Sequence, residues 1–332
     1  MTNEEAPARP ALPIEAVPLL SCPVCVSRLQ YRGVLECRRC RHTYEVIDGI
    51  PILLPPESGT LELEYRENYD RIATDDLAEP IVANRELLLH SKLLEFIGST
   101  DGASVLDIGS AYGSHLRKLE AARKVAVDLA LPYLRTIPPE SVTLRVCGDA
   151  EALPVDLHAF DVVIMADILE HLLDPEKLVA RLARDCRPET RIIVHIPWRE
   201  SLESYKSAQY KFVHLRSFDE ESFRTLFREF KVVRERSSLP IVDGPIVFRL
   251  KSKLPKRLYE QLVRTYFRTS LAHREQVSRA RWSAELPNRE RWLLRFYEPV
   301  CKMFELRKQP ETRWWERVAG RALLRERAES DL

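Results

Sequence analysis

Two constellations in this 332-residue chain are built for chemistry. The first runs from Val105 to Asp128. Val105-Leu106-Asp107-Ile108 reads as a buried strand entering the turn Gly109-Ser110-Ala111-Tyr112-Gly113, with a helix expected from about Ser114. A second apolar run, Lys124-Val125-Ala126-Val127, stops at Asp128. Glycines let a backbone approach a ligand closely, and a carboxylate about 20 residues further on is placed to accept two ribose hydroxyls. The middle glycine of a dinucleotide turn is missing, and Asp107 stands two residues before the first glycine. A carboxylate there would repel a pyrophosphate and suits a cationic or ammonium-bearing ligand.

The second constellation uses four of the seven cysteines: Cys22-x-x-Cys25, then Cys37-x-x-Cys40. Paired knuckles of this kind supply four thiolates to a tetrahedral Zn2+. A redox pair, or a site that has lost its metal, is the alternative. His42 lies too close in sequence to Cys40 to displace a thiolate. The segment between the knuckles, Leu29–Glu36, reads as a short hairpin that folds largely on metal binding. Such an ion is enclosed by its ligands and is structural.

The elements that must position these residues alternate in apolar and amphipathic runs. After Asp128 come a third strand at Val142–Val146 and then Gly148-Asp149-Ala150. A fourth strand, Phe160–Ala166, leads into Asp167-Ile168-Leu169-Glu170-His171. Asp174 and Pro175 open a helix that buries Leu178, Leu182 and Cys186. Arg191–His195 is a fifth strand, with Trp198 offering a flat wall beyond it; Val232–Arg234 and Ile246–Leu250 complete the sheet. This order specifies an α/β doubly wound, Rossmann-like sheet of seven strands. Sites in such sheets lie beyond the carboxyl ends of the strands, where Asp167, Glu170 and His171 fall.

The glycine turn resembles the first motif of class I S-adenosylmethionine (SAM) methyltransferases, with Ala111 standing where that family has its middle glycine. The resemblance covers about Glu64–Lys251. It implies SAM held by Asp107, Gly109, Ser110, Gly113, Asp128 and Asp167, with the adenine against Asp149 and Ala150. The stretch Glu67–Ala73 looks like the helix that covers the cofactor in many small-molecule methyltransferases, with Tyr65, Tyr69 and Ile72 on one face. The loop His214-Leu215-Arg216-Ser217-Phe218 resembles the substrate-side loop of glycan and small-molecule members. His171, His195 and His214 are the candidate general bases, against structural roles for each and a mechanism without a base. No Asn/Asp-Pro-Pro-aromatic quartet follows the fourth strand, which argues against DNA base N-methylation of that type.

The knuckles and the ending Asp48-Gly49-Ile50-Pro51-Ile52-Leu53-Leu54-Pro55 resemble the small zinc-ribbon activating subunits of tRNA and protein methyltransferases. The expected organisation is a disordered tail (1–18), a zinc ribbon (19–56), a methyltransferase domain (57–251) and a basic amphipathic helical extension (252–332). From Lys251 onward the chain carries 20 Lys and Arg against 11 Asp and Glu, so this excess offsets a net negative remainder. Leu258, Leu262, Tyr266 and Phe267, and later Trp314, Trp315 and Val318, form its stripes. Such helices suit a cap on the domain, a peripheral membrane contact or RNA phosphates.

The formal net charge of +1 gives no global nucleic-acid signature. No run approaches 18 apolar residues, and the acidic, proline-rich start is unlike a signal peptide. A cytoplasmic protein, peripheral to the membrane if the tail binds it, is expected. The leading functional expectation is a SAM-dependent methyltransferase acting on a small-molecule, sugar or lipid-linked acceptor. An RNA methyltransferase and a non-catalytic zinc-ribbon adaptor with a degenerate body are the alternatives.

Overall fold

A computed structural model describes residues 12–56, 59–78, 93–200, 202, 211–238, 255, 258 and 301–309. The first described element is a 3-10 segment, Ile14–Leu19, with Ala16, Val17 and Leu19 buried, so this part of the tail expected to be disordered over 1–18 is ordered; the cysteine module follows. β1 (Leu29–Tyr31), β2 (Leu35–Cys37) and β3 (Thr43–Tyr44) form an antiparallel three-stranded sheet. β4 (Val46–Ile47) turns back into β5 (Ile50–Leu53) through Asp48 and Gly49, both at positive φ. The module then joins the body, since β5 pairs in parallel with β8 (Leu144–Gly148). Ser21 donates its N–H to the Pro154 carbonyl (3.0 Å), and Asp156 donates to Leu19 (2.8 Å). Leu20, Leu35, Cys37 and Leu53 belong to the same buried cluster as Val146 and Val155. The ribbon therefore docks on its own body.

The remaining strands are β6 (Ser104–Ile108), β7 (Arg123–Asp128), β9 (Val162–Ala166), β10 (Arg191–Pro197), β11 (Phe230–Ser238) and β12 (Cys301–Lys308). They make one sheet in the order β11-β12-β10-β9-β6-β7-β8-β5-β4. β6 and β8 are buried at every position, as parallel strands covered on both faces must be. The order reverses direction beside β6, which opens a crevice over the carboxyl ends of β6, β7 and β9. The doubly wound sheet is present, widened from the expected seven strands to nine by the ribbon's β4 and β5.

Five helices flank the described sheet: α1 (Thr60–Ala78), α2 (93–97), α3 (Leu131–Arg135), α4 (Pro175–Asp185) and α5 (Glu220–Leu226). α4 buries Leu178, Leu182 and, at its cap, Cys186, as its spacing demands. The Asp174 side chain makes no cap hydrogen bond and instead meets Lys177 at 3.5 Å. At α5, Asp219 and Ser222 form a full reciprocal capping box.

Three expectations are corrected. The helix expected from Ser114 is a turn followed by a 3-10 segment at Leu116–Lys118. Too few residues separate the glycine turn from β7 for anything longer. The third strand is shifted to Leu144–Gly148 because Val142 lies outside the ladder with β7. The extension is not helical throughout. Residues Cys301–Lys308 form a strand that enters between β10 and β11, antiparallel to both. Glu305 pins it there, buried in the sheet with its carboxylate 3.0 Å from Arg191 Nε and 2.8 Å from Arg234 Nη2. Burial alone would raise that carboxyl, and the two guanidiniums hold it below its ordinary value. The expected strand at Ile246–Leu250 and the Trp314–Leu323 stripe lie outside the described residues.

Candidate functional site

At the carboxyl end of β6 the chain turns sharply through three left-handed residues, Gly109 (φ 73°), Ala111 (φ 45°) and Gly113 (φ 68°). Gly109 is required twice over, because a Cβ there would stand 2.7 Å from Ile168 Cδ1. The turn is anchored to β7, with the Gly109 and Ser110 N–H groups donating to the Val127 carbonyl at 2.9 and 3.1 Å. Asp128 closes the arrangement. Its Oδ2 accepts the Ala111 N–H (2.7 Å) and its Oδ1 the Ala130 N–H (2.8 Å).

These bonds leave further lone pairs on the Asp128 carboxylate, which lines a cavity of about 310 Å³ with the turn residues Gly109, Ser110 and Ala111. That volume lies within the range of small-molecule sites, about 300–1,000 Å³. Burial pushes the Asp128 carboxyl up to about 6, although its two N–H donors work against the shift. Asp107 lies behind the turn, 1% exposed, with Oδ2 lacking any hydrogen-bond partner. Burial, and then the charge of Asp128, push it up to about 8. Ser110 Oγ is likewise buried without a partner. Buried polar atoms of this kind need an explanation.

Asp149 and Ala150 form the far wall of the same cavity. Asp149 Oδ1 caps the short turn after β8 through the Glu151 N–H (2.8 Å), and Oδ2 takes no part in that cap. Burial raises its carboxyl above the ordinary range. Helix α1 covers the opening with Tyr65, Tyr69 and Ile72. The helix is tied to the loop at 211–216: Tyr69 Oη donates to the Phe212 carbonyl (2.8 Å), and Asn68 bonds both the N–H and the carbonyl of Lys211.

Beyond β9, Asp167 lines the cavity at φ 51° and its Oδ1 lies 2.8 Å from His195 Nδ1. Burial works to raise the Asp167 carboxyl, but the adjacent His195 charge outweighs it and holds it below its ordinary value. At His195 burial works downward, and Asp167 overcomes it to lift the imidazole well above its ordinary value. The pair is therefore carboxylate and imidazolium. His195, one of the three candidate bases, is 4% exposed and is not among the residues lining the cavity, its ring lying against Asp167. His171 does line the cavity, and burial followed by the His214 charge depresses it to about 4. His214 meets the His171 ring edge-on, with centroids 4.7 Å apart, and its Nδ1 lies 2.5 Å from Glu200 Oε2.

Trp198 is not a substrate wall. It is 5% exposed and packs against Phe223 and Phe304, with Lys302 Nζ over its ring at 4.1 Å. Several contributors were not evident from the sequence. Arg216 donates to the carbonyls of Leu169, Leu172 and Leu173, clamping the loop after β9. Tyr133 and Asp76 hydrogen-bond across the cavity mouth. Both arise from long-range contacts; the one signal available was Arg216 inside the His214–Phe218 loop.

In the cysteine module, Cys22 and Cys40 Sγ lie 3.5 Å apart and Cys25 and Cys37 Sγ 3.4 Å apart. All four sulfurs fall within 4.8 Å of one another. A tetrahedral Zn2+ with bonds of about 2.3 Å requires sulfurs about 3.8 Å apart, so the cluster fits the ion. Tyr44 Oη lies 3.1 Å from Cys22 Sγ, and the Arg39 and Cys40 N–H groups approach Cys37 Sγ at 3.4 and 3.5 Å. His42 stands outside the set, with Nδ1 3.3 Å from Cys40 Sγ.

Comparison with known proteins follows the same division. Over 46 residues the chain is 41% identical to a UPF0434 protein of Photobacterium profundum, spanning 13% of this chain and 78% of that protein. A UPF0434 protein of Aliivibrio fischeri is 36% identical over 53 residues, or 15% of this chain and 82% of its own length. At its N-terminal module the chain belongs to the UPF0434 family. A methyltransferase-domain family matches residues 106–194, from the glycine turn to the fifth parallel strand of the body. Among solved structures, a chain of the Trm112 methyltransferase activator complex of Haloferax volcanii superposes with a TM-score of 0.48 at 15% identity. It covers 75% of this chain and 99% of its own. A phosphoethanolamine N-methyltransferase 2 of Haemonchus contortus gives 0.49 at 17% identity, covering 74% and 60%. The protein joins a UPF0434 module to a body with the methyltransferase-like α/β fold.

Proposed function

We propose that the chain is a SAM-dependent methyltransferase acting on a small-molecule acceptor, such as a sugar or lipid-linked intermediate, with a structural Zn2+ in its UPF0434 module. The observation that carries this reading is the convergence of Asp128, the glycine turn and Asp149 on one cavity, with the buried Asp107 carboxylate behind it. The Asp128 carboxylate would take the ribose hydroxyls, Asp149 Oδ2 the adenine amino group, and the turn the amino-acid end. Asp107, raised to about 8 behind the turn, would ionise when a cationic ligand occupies the cavity. When bound, SAM supplies an activated methyl group on a sulfonium.

The chain's own part is alignment and exclusion of water, which carry most of the catalysis in a reaction of this kind. α1 and the loop at 211–216 close over the crevice through Tyr69 and Asn68. Asp167, held by the His195 imidazolium, fixes the loop after β9 where an acceptor would lie. His171 is neutral at physiological pH and faces that space.

Calorimetric titration with SAM and its demethylated product, using NADH as control, tests the reading. Saturable binding of both, absent for NADH and at least tenfold weaker in Asp149→Ala, is the expected result. A folded, zinc-loaded protein that binds neither would overturn the proposal and leave a zinc-ribbon adaptor with a non-catalytic body.

A further inference from the structure

Among the described residues, Glu170 is the one carboxylate with both oxygens buried and unpartnered. Its side chain is 1% exposed, and neither Oε1 nor Oε2 has a hydrogen-bond partner among the described residues. An ionised carboxylate buried in this way costs several kcal/mol unless something cationic meets it. His171 Nε2 lies 4.0 Å from Glu170 Oε1, and His171 Nδ1 is itself buried without a partner. His214 meets the His171 ring, on the loop whose Leu215 N–H donates to the Glu170 carbonyl at 2.8 Å. One donor atom from each of Glu170, His171 and His214 lies within 4.8 Å of the others.

We propose that Glu170, His171 and His214 form a second metal site, holding a divalent first-row transition ion through one carboxylate and two imidazoles. Such a donor set, lacking thiolate, suits Mn2+, Fe2+, Co2+ or Zn2+ and leaves coordination positions open. Bonds of about 2.1 Å place donors roughly 3.0 Å apart when adjacent and about 4.2 Å apart when opposed. The three side chains therefore need to close by about 1–2 Å, within reach of rotamer adjustment. The surroundings are already those of a ligand shell. His214 Nδ1 lies 2.5 Å from Glu200 Oε2, which orients the ring as carboxylates behind metal-bound histidines do.

The site is separate from the cysteine cluster, with harder donors. His171 also lines the cavity, so the open positions face the space assigned to the acceptor. An acceptor that presents an oxygen donor, such as a hydroxyl, is the class these positions would take. That last step rests on the methyltransferase reading; metal binding does not.

The test is to add Co2+ to full-length protein already carrying one Zn2+ and record its absorption spectrum without SAM. One equivalent is expected to bind, with visible d–d bands and no near-ultraviolet thiolate charge-transfer band. Glu170→Gln and His214→Gln should each weaken binding at least tenfold while thermal melts show a folded protein, and Glu200→Gln should weaken it less. If one variant fails to fold, the other carries the comparison. Absence of the bands in folded wild-type protein would overturn the proposal. So would a thiolate band, which places Co2+ among the cysteines, or unchanged affinity in the folded variants. Failure to bind SAM in the separate titration would leave these spectra unaffected.

Discussion

The Asp128 carboxylate holds the backbone N–H of Ala111 at 2.7 Å, and Ala111 itself lies in the left-handed region at φ 45°. A residue with a Cβ pays about 1–2 kcal/mol for that conformation, and the charge-assisted bond to Asp128 offsets it. The turn is therefore formed despite the missing glycine. Ala111→Gly removes the strain but adds unfolded-state freedom worth about 0.4–1 kcal/mol. A net gain of about 0.5–1 kcal/mol is expected in urea denaturation, with SAM affinity unchanged or higher. A destabilised Ala111→Gly protein would show that the methyl makes packing contacts worth more than the backbone strain.

Two carboxyls beside the turn give the ligand-free protein a defined pH response. Asp107 and Asp128 are raised to about 8 and about 6, above the ordinary aspartate value of the unfolded chain. The folded state therefore binds more protons than the unfolded one in this window, so stability falls as pH rises from about 4 to about 8. Asp107 alone should account for roughly 2 kcal/mol between pH 6 and pH 8, given about 1.4 kcal/mol per proton per pH unit. Denaturation of wild type and Asp107→Asn across that range isolates its share from that of other groups, including His195. A cationic ligand favours the ionised carboxylates, so SAM should bind more tightly at pH 8 than at pH 6 and release protons as it does. Equal slopes in the two proteins would show that Asp107 is ionised throughout.

The parallel core was legible because its strands are mostly apolar runs, three of them closing on or beside a carboxylate with an evident role. Asp107 precedes the glycines, Asp128 ends β7, and Asp149 stands just past β8. The cysteine spacing was equally direct. The sheet's last inserted strand was not. Cys301–Lys308 sits among arginines and aromatic residues that read as amphipathic helix, and its place depends on Glu305 meeting Arg191 and Arg234 from distant strands. The roles of the histidines were also hidden, because they depend on pairing. His195 looks like a base until Asp167 is found against it, and Glu170 looks like one more polar residue until its burial is seen. Sequence spacing displays local patterns, whereas electrostatic roles are set by distant neighbours, as between Asp167 and His195, 28 residues apart.

The pairing of β5 with β8 makes zinc a determinant of the body as well as of the UPF0434 module. Four thiolates hold β1–β3, and the chain runs from them directly through β4 into the sheet edge. The module's strands are only two to four residues long, so Zn2+ bound by the thiolates would contribute much of what holds them together. Chelation, or Cys25→Ser with Cys37→Ser, should release one zinc per chain and free β5 from β8. The outcome is read by hydrogen exchange: amides at 35–53 lose protection first, those of Leu144–Gly148 follow, and those of β9 and β10 stay protected. The midpoint of thermal unfolding should fall as well, because the open edge of β8 exposes Cys147 and Gly148, which Ile52 and Leu53 now face. Exchange that is unchanged at 144–148 after zinc loss would show that β5 holds its place through packing alone.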